Sequence, residues 1–418
     1  IGVNVVDDSA AATLARSLAA GGAVSLASSS AATSTVAASA TAAGGSQTAA
    51  SKTKSGGGSV DSQVSDQQSY GQTAATNSGS KAKNGTKSAP AAKDNSGSSI
   101  ALAGAVGVNV SSNASLATVG DSLSVTAGGA LSLSAAGTTT ASASADGSAV
   151  GVGDGKLATY GVGVAVGLNL ATSVNRASLG TTDVVSATGV SLAAGPVNAT
   201  DRDAFKAAAK AGASGQDVGV AGALALNIVT ENTTEAVIPS STVTANGGDV
   251  VLTAKNAADA VADATPIGAG GTGSKLGVGV SIGLNVVPNT TRAEVEDGGV
   301  IGGAKALTLT AVSDHTATTN AVAGGAGSNG TGVGISAGIA IVNDATTARL
   351  GTGAGTTTIT GDFAATATHT GASVTTAGAK SSGDTAVGIG IGVNVVDDSA
   401  AATLARSLAA GGAVSLAS

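Results

Sequence analysis

Cysteine, methionine and tryptophan are absent from the 418 residues, and tyrosine and phenylalanine occur only twice each. Without cysteine there are no disulfides and no thiol chemistry, although that absence alone names no compartment. Without large anchoring side chains the interior cannot be an ordinary globular core. The apolar fraction of 42% is mostly Ala and Val, so the packed layers must be thin. Basic stripes with interleaved aromatics are also missing, and the net charge is −7. The electrostatic term that dominates nucleic-acid binding is therefore lacking, and no nucleic-acid partner is expected. No apolar run reaches the roughly 18 to 20 residues a membrane-spanning helix needs. The chain opens in mid-pattern with no charged-then-apolar leader, so any export signal or anchor is expected to lie outside it.

What the chain does contain is glycine, 64 residues of it, a mean hydropathy of +0.33, and Val, Ile and Leu in alternating runs. That combination points to order rather than to a solvated low-complexity tail. The segment 1–28 recurs without a change at 391–418, which defines a tandem period. The chain reads as one tandem unit, 1–390, followed by the start of the next identical unit, 391–418.

A weaker repeat lies within the unit. A Gly/Val-rich strand reaches a marker at Asn4, Asn109, Asn169, Asn227 and Asn285, then Ala340 in the Asn place, and Asn394 again. Apart from the long first step the markers are nearly evenly spaced, so six modules fill one unit. A second landmark follows each marker: VSLA from Val24, LSLSA from Leu131, VSLAA from Val190, VVLTA from Val250, LTLTA from Leu307 and FAATA from Phe363. The step from marker to landmark is almost constant, as from Asn4 to Val24 and from Asn285 to Leu307. The step from landmark to next marker varies widely, being long from Val24 to Asn109 and short from Phe363 to Asn394. Length variation confined to one interval predicts a fixed scaffold and a solvent-facing tip that tolerates insertion. The first module carries the largest insertion, a polar Lys/Ser/Gly-rich stretch over 45–99.

Within 161–170, GVGVAVGLNL, residues of one parity are Val and Leu and those of the other are Gly, Ala and Asn. Period two means strand; helical spacing occurs only around 203–213. The fold expected is all-β. Repetition at two scales selects a β-solenoid of stacked parallel layers, with long antiparallel hairpins as the alternative. Gly and Ala faces would let sheets approach, Val and Leu faces would fill a dry seam, and Thr, Ser and Asn would form ladders. No short subperiod of the kind a three-turn module would need is visible, which favours one wide layer per module.

Candidate sites are few. Asn4, Asn109, Asn169, Asn227, Asn285 and Asn394 read as a structural ladder that fixes register. His315 and His369, one module apart in Thr-rich segments, read as surface side chains, with neither a nucleophile elbow nor a triad pattern near them. The GAGGTG at 268–273 lacks the Lys-Ser/Thr and the helix of a phosphate loop. Asp7 with Asp8, and Glu294, Glu296 and Asp297, are weak calcium candidates that match no known loop; solvated turns are the plainer reading. No other cofactor is indicated. The insert carries Lys52, Lys54, Lys81, Lys83, Lys87 and Lys93 with Tyr70, against three aspartates, a locally positive arm on an acidic body.

The module grammar VGVAVGLNLATSVNRASLG followed by VVSATGVSLAA resembles the repeats of giant bacterial surface proteins of the filamentous haemagglutinin and fusobacterial leukotoxin type. The resemblance implies export to the cell surface or medium, a β-solenoid shaft, and adhesion or biofilm duty without enzymatic activity. Two features depart from it: the perfect identity of the repeated segment and the Lys-rich insert. The expected function is a structural repeat of an extracellular fibre, sheath or matrix, with other copies of itself as partners. The alternative is an adhesin that grips a cell surface or polysaccharide through the insert.

Overall fold

The computed structural model describes residues 1–42, 100–150 and 158–418. The six lysines and Tyr70 of the insert lie outside the described residues. Among those described there are strands and turns and no helix. Every strand pairing among them is parallel, so the solenoid is adopted and the antiparallel hairpin is not.

Each module makes one wide layer. The chain runs along a long front strand such as Tyr160–Ser178, turns through a three-residue strand such as Val184–Ser186, and returns along a long back strand such as Leu307–Gly327. It then turns at the tip and begins the front strand of the next layer. Seven front strands form one sheet, the back strands a second, and five of the short strands a third. The back strands begin at Val24, Leu131, Val190, Val250, Leu307 and Phe363, where the second landmark opens.

Register is set residue for residue. Asn4 pairs with Asn109, Asn109 with Asn169, Asn169 with Asn227, Asn227 with Asn285, Asn285 with Ala340, and Ala340 with Asn394. A slip of one residue would turn every inward side chain outward, so burial of one face fixes this alignment. The second copy of the repeated segment occupies the seventh layer with the same element ends as the first, Leu14 and Leu404 closing the two front strands.

The interior is a wedge. At the short-strand end the sheets are apart, and the space is filled by Leu131, Leu133, Leu192, Leu252, Leu307, Leu309, Ile238, Ile359 and Phe363, all essentially buried. Towards the tip the sheets converge and the inward side chains become small, mostly Gly, Ala, Ser, Thr and Asn. A Cβ on Gly163 would lie 2.1 Å from the carbonyl oxygen of Gly212. The two backbones there approach much more closely than the roughly 10 Å of ordinary stacked sheets.

This geometry reverses one expectation. In the front sheet the Gly/Ala/Asn parity faces inward, and the Val/Leu parity faces outward. The thin seam leaves little room for branched aliphatic side chains, so most of them go to the outer surface, where neighbours in the same column shield one another. One column runs Val108, Leu168, Leu226, Leu284, Ile339 and Val393 in successive layers. The outer face of the back sheet is instead polar, as in Ser132, Ser134, Thr138, Thr140, Ser142 and Ser144.

The stretch 203–213 is also corrected. It is part of the strand Asp203–Ser214, with Phe205, Ala207 and Ala209 inward and Lys206 and Lys210 outward. Pairing with a strand on each side outweighs its local helical spacing.

Candidate functional site: polar columns inside the solenoid

Polar side chains enter the interior at fixed heights in every layer, and stacking turns each height into a column. The Asn column is continuous over five layers. Asn4 Nδ2 donates to Asn109 Oδ1 (3.1 Å), Asn109 Nδ2 to Asn169 Oδ1 (2.8 Å), Asn169 Nδ2 to Asn227 Oδ1 (2.9 Å) and Asn227 Nδ2 to Asn285 Oδ1 (2.8 Å). The row ends at Asn285, since Ala340 offers no side-chain acceptor; Asn285 Nδ2 keeps a bond to the Ala260 carbonyl at 3.0 Å, as Asn227 Nδ2 does to the Phe205 carbonyl at 3.3 Å. Asn394, beyond the gap, bonds to Ser373 instead. Burying an amide without partners would cost about 1–3 kcal/mol; in the column each amide meets the next. Exposed hydroxyl pairs add outer ladders, such as Thr172 with Thr230 at 2.7 Å.

The acidic group of Glu294, Glu296 and Asp297 holds arginines rather than calcium. Arg292 donates to Glu235 (2.9 Å), Glu294 (2.5 Å) and Glu296 (2.6 Å), Arg176 donates to Glu235 (2.8 Å), and Arg349 donates to Asp297 (2.9 Å). Burial alone would lower the Arg292 guanidinium, but the carboxylates around it raise it above its ordinary value. Glu294 and Glu235 are nearly buried, and their charge is spent on guanidinium partners. A hard dication would have to displace these arginines, so the calcium reading gives way to an ion-pair ladder across layers.

The histidines are not surface side chains. His315, on the back strand Leu307–Gly327, is 3% exposed, and His369, on the next back strand, Phe363–Ser382, is also turned inward. In register, Ser313 pairs with His369 and His315 with Gly371, which sets the two rings one step apart on the same face. Their centroids are 4.9 Å apart, with the planes tilted by 38°. Asp344, from the front strand Thr331–Leu350, is fully buried between them. Its Oδ2 lies 3.0 Å from His315 Nδ1 and its Oδ1 3.3 Å from His369 Nδ1. Ser313 Oγ donates to Asp344 Oδ2 (2.5 Å) and Thr346 Oγ1 to Oδ1 (2.8 Å). Asp398 faces the opposite ring edges, 3.2 Å from His369 Nε2 and 3.9 Å from His315 Nε2. Burial by itself would push the Asp344 carboxyl up; the His315 imidazole and the two hydroxyls outweigh it and hold it below the usual carboxylate range.

Sequence reasoning missed this cluster, although its signal was parity. His315 and His369 each lie an even number of steps after an inward landmark, Leu307 and Phe363 respectively. Asp344 follows Ala340, and Asp398 follows Asn394, by the same even step. The same height holds Asn113, Ser173, Asn232 and Asn289 in other layers, with Asn232 Nδ2 donating to Asn289 Oδ1 at 2.7 Å.

Asp203 is a third inward acid. It accepts a hydrogen bond from the Thr139 backbone N–H at 2.6 Å, and burial pushes its carboxyl up to about 7. No family model, curated protein or solved structure matches the chain. Among the described residues no helix is long and apolar enough to cross a membrane.

Proposed function

We propose that the chain is a structural repeat of an extracellular bacterial fibre, in which tandem units stack into one continuous β shaft. The observation that carries this reading is the seating of 391–418 on the sixth layer in full parallel register, with Thr385–Leu404 paired along its whole length to Thr331–Leu350. A following copy meets the same sequence and the same edge as the first. With about 4.8 Å per layer, six layers advance the shaft by about 29 Å per unit. Extracellular placement, and any duty in adhesion or biofilm, come from the resemblance of the module grammar to giant surface-protein repeats and belong to the same proposal.

The outward aliphatic face of the front sheet supports lateral association of such shafts. Adjacent columns of Val, Leu and Ile run along it, with Ile282 38% exposed and Val164 41% exposed. The apolar part measures about 30 Å along the strands and about 34 Å over the stacked layers, roughly 1,000 Å² in all. Stable interfaces need about 800 Å² per partner, and soluble surfaces rarely leave a patch that large uncovered. The occupant favoured is a second copy of this chain, since an aliphatic face with a constant layer spacing can match the same face of another copy.

The test is electron microscopy and sedimentation of the full chain, of a Leu168→Lys/Leu226→Lys/Leu284→Lys variant, and of a variant lacking 45–99. The expected result is side-by-side association in the parent chain, lost in the triple variant, with the β signal in circular dichroism unchanged. A parent chain that stays monomeric at high concentration overturns lateral bundling. Attachment to cells or polysaccharide that vanishes only with 45–99 moves the reading to an adhesin.

A further inference from the structure

His315, Asp344 and His369 each offer a ligand atom, and these atoms lie within 4.8 Å of one another. The ring nitrogens are close to the Asp344 oxygens, at 3.0 and 3.3 Å, close enough for charge to act between them, yet His315 Nδ1, His369 Nδ1 and His369 Nε2 all lack a well-aligned hydrogen bond. Nitrogen and oxygen at that separation, not aimed at each other, are spaced like neighbouring donors around one small cation. Bonds of about 2.0–2.1 Å at tetrahedral angles put adjacent donors about 3.3 Å apart. A buried polar atom without a partner is uncommon and calls for an explanation; here both Nδ1 atoms flank the same carboxylate.

We infer that the two Nδ1 atoms and the Asp344 carboxylate bind a divalent transition metal ion of the Zn²⁺ class, and that Asp398 orients both rings from their Nε2 edges. Two imidazoles with a carboxylate favour a borderline ion over Ca²⁺ or Mg²⁺, which take oxygen donors. The Asp344 half of the supporting shell is already in place, with Ser313 and Thr346 hydroxyls holding its oxygens at 2.5 and 2.8 Å. Asp398 lies 3.2 Å from His369 Nε2 and 3.9 Å from His315 Nε2 without yet bonding to either ring; a small turn of the His369 ring on metal binding would complete the carboxylate–histidine–metal arrangement that fixes tautomer and ring direction. Room for the rings is reserved at Gly371, where a Cβ would lie 2.6 Å from His369 Nε2 and 3.1 Å from His315 Cε1.

The position in the stack gives the site its meaning. His315 belongs to the fifth layer, Asp344 and His369 to the sixth, and Asp398 to the seventh, which is the first layer of the next unit. Asp398 is the copy of Asp8. The ion would therefore pin two layers of one unit, beneath an acid supplied by the next, at every seam between units. The Asn column breaks in this same sixth layer, where Ala340 stands in the Asn place on the strand that carries Asp344, so the seam would gain a metal staple in the layer that lacks the amide rung.

The test is Zn²⁺ titration of the untagged full chain by calorimetry, with Co²⁺ absorption as a second readout of nitrogen-ligated tetrahedral geometry. The chain has two histidines and no cysteine, so such a spectrum has one origin among its side chains. The parent chain is expected to bind one equivalent with a Kd below about 10 µM, and His315→Gln or His369→Gln to weaken it by at least about 100-fold. Asp398→Asn is expected to weaken binding about 10-fold, whereas Asp8→Asn, the same residue in the copy without histidines beneath it, leaves the affinity unchanged. Circular dichroism checks that each variant folds, and the Asp398 and Asp8 pair keeps the test decisive if a histidine variant does not. Absence of Zn²⁺ binding at about 100 µM in the parent, or binding that survives both histidine substitutions, overturns the site. Equal affinity in Asp398→Asn and Asp8→Asn overturns the role given to the seam.

Discussion

Asp203→Asn should make the solenoid more stable above neutral pH and leave it nearly unchanged only below about pH 4. Asp203 is buried at the start of the strand Asp203–Ser214, and its Oδ1 accepts the Thr139 N–H at 2.6 Å. Burial raises its carboxyl from the ordinary 3.8 to about 7, against the opposing effect of that hydrogen bond and of Ser173. With the folded value above the unfolded one, the protonated acid favours folding fully below about pH 4. That contribution drains away as pH rises towards 7 and is gone above it. At about 1.4 kcal/mol per pH unit, the loss across this window is about 4 kcal/mol. Asparagine keeps an acceptor for Thr139 and can donate to Ser173, but carries no charge to bury. Urea unfolding of both chains at pH 5 and pH 8 measures the difference, and amide exchange at Thr139 reports it locally. The expected gain is about 4 kcal/mol at pH 8 and about 1.5–2 kcal/mol at pH 5. An equal difference at both pH values, or a less stable variant at pH 8, would refute the reasoning.

Further substitutions probe the thin seam between the sheets. Asn169→Ala removes the acceptor of Asn109 Nδ2 and the donor to Asn227 Oδ1; a loss of about 2–4 kcal/mol in denaturant unfolding is expected, with a smaller loss for Asn4→Ala in the part-buried end layer. Gly163→Ala forces a Cβ within 2.1 Å of the Gly212 oxygen and 2.8 Å of the Gly147 oxygen, both backbone, and should destabilise by about 3 kcal/mol or more. Gly104→Ala, where no atom lies within 4 Å of the added Cβ, should stay within about 0.5 kcal/mol of the parent in the same unfolding assay.

Strand, layer and register were legible in the chain because stacking repeats every contact at a fixed height. The markers at 4, 109, 169, 227, 285, 340 and 394 lie opposite one another in successive front strands. The landmarks opening at Val24 through Phe363 are the residues where back strands start. Alternation in GVGVAVGLNL revealed two faces but not which of them is buried. Hydrophobicity alone favours burying Val164, Val166 and Leu168; the distance between two backbones decided for Gly163 and Gly167 instead.

Composition and repeat period by themselves determined an all-β, stacked, thin-cored chain, since alternation, glycine and the lack of large side chains permit little else. The tertiary structure decided what meets across the seam. His315, Asp344, His369 and Asp398 lie far apart in sequence and come from strands of two different sheets. They converge only because each layer lies directly upon the last and the back sheet folds over the front. Periodicity along the chain fixes height within a layer, but contact between facing sheets depends on the turn between them, and no pattern within a single strand encodes that turn.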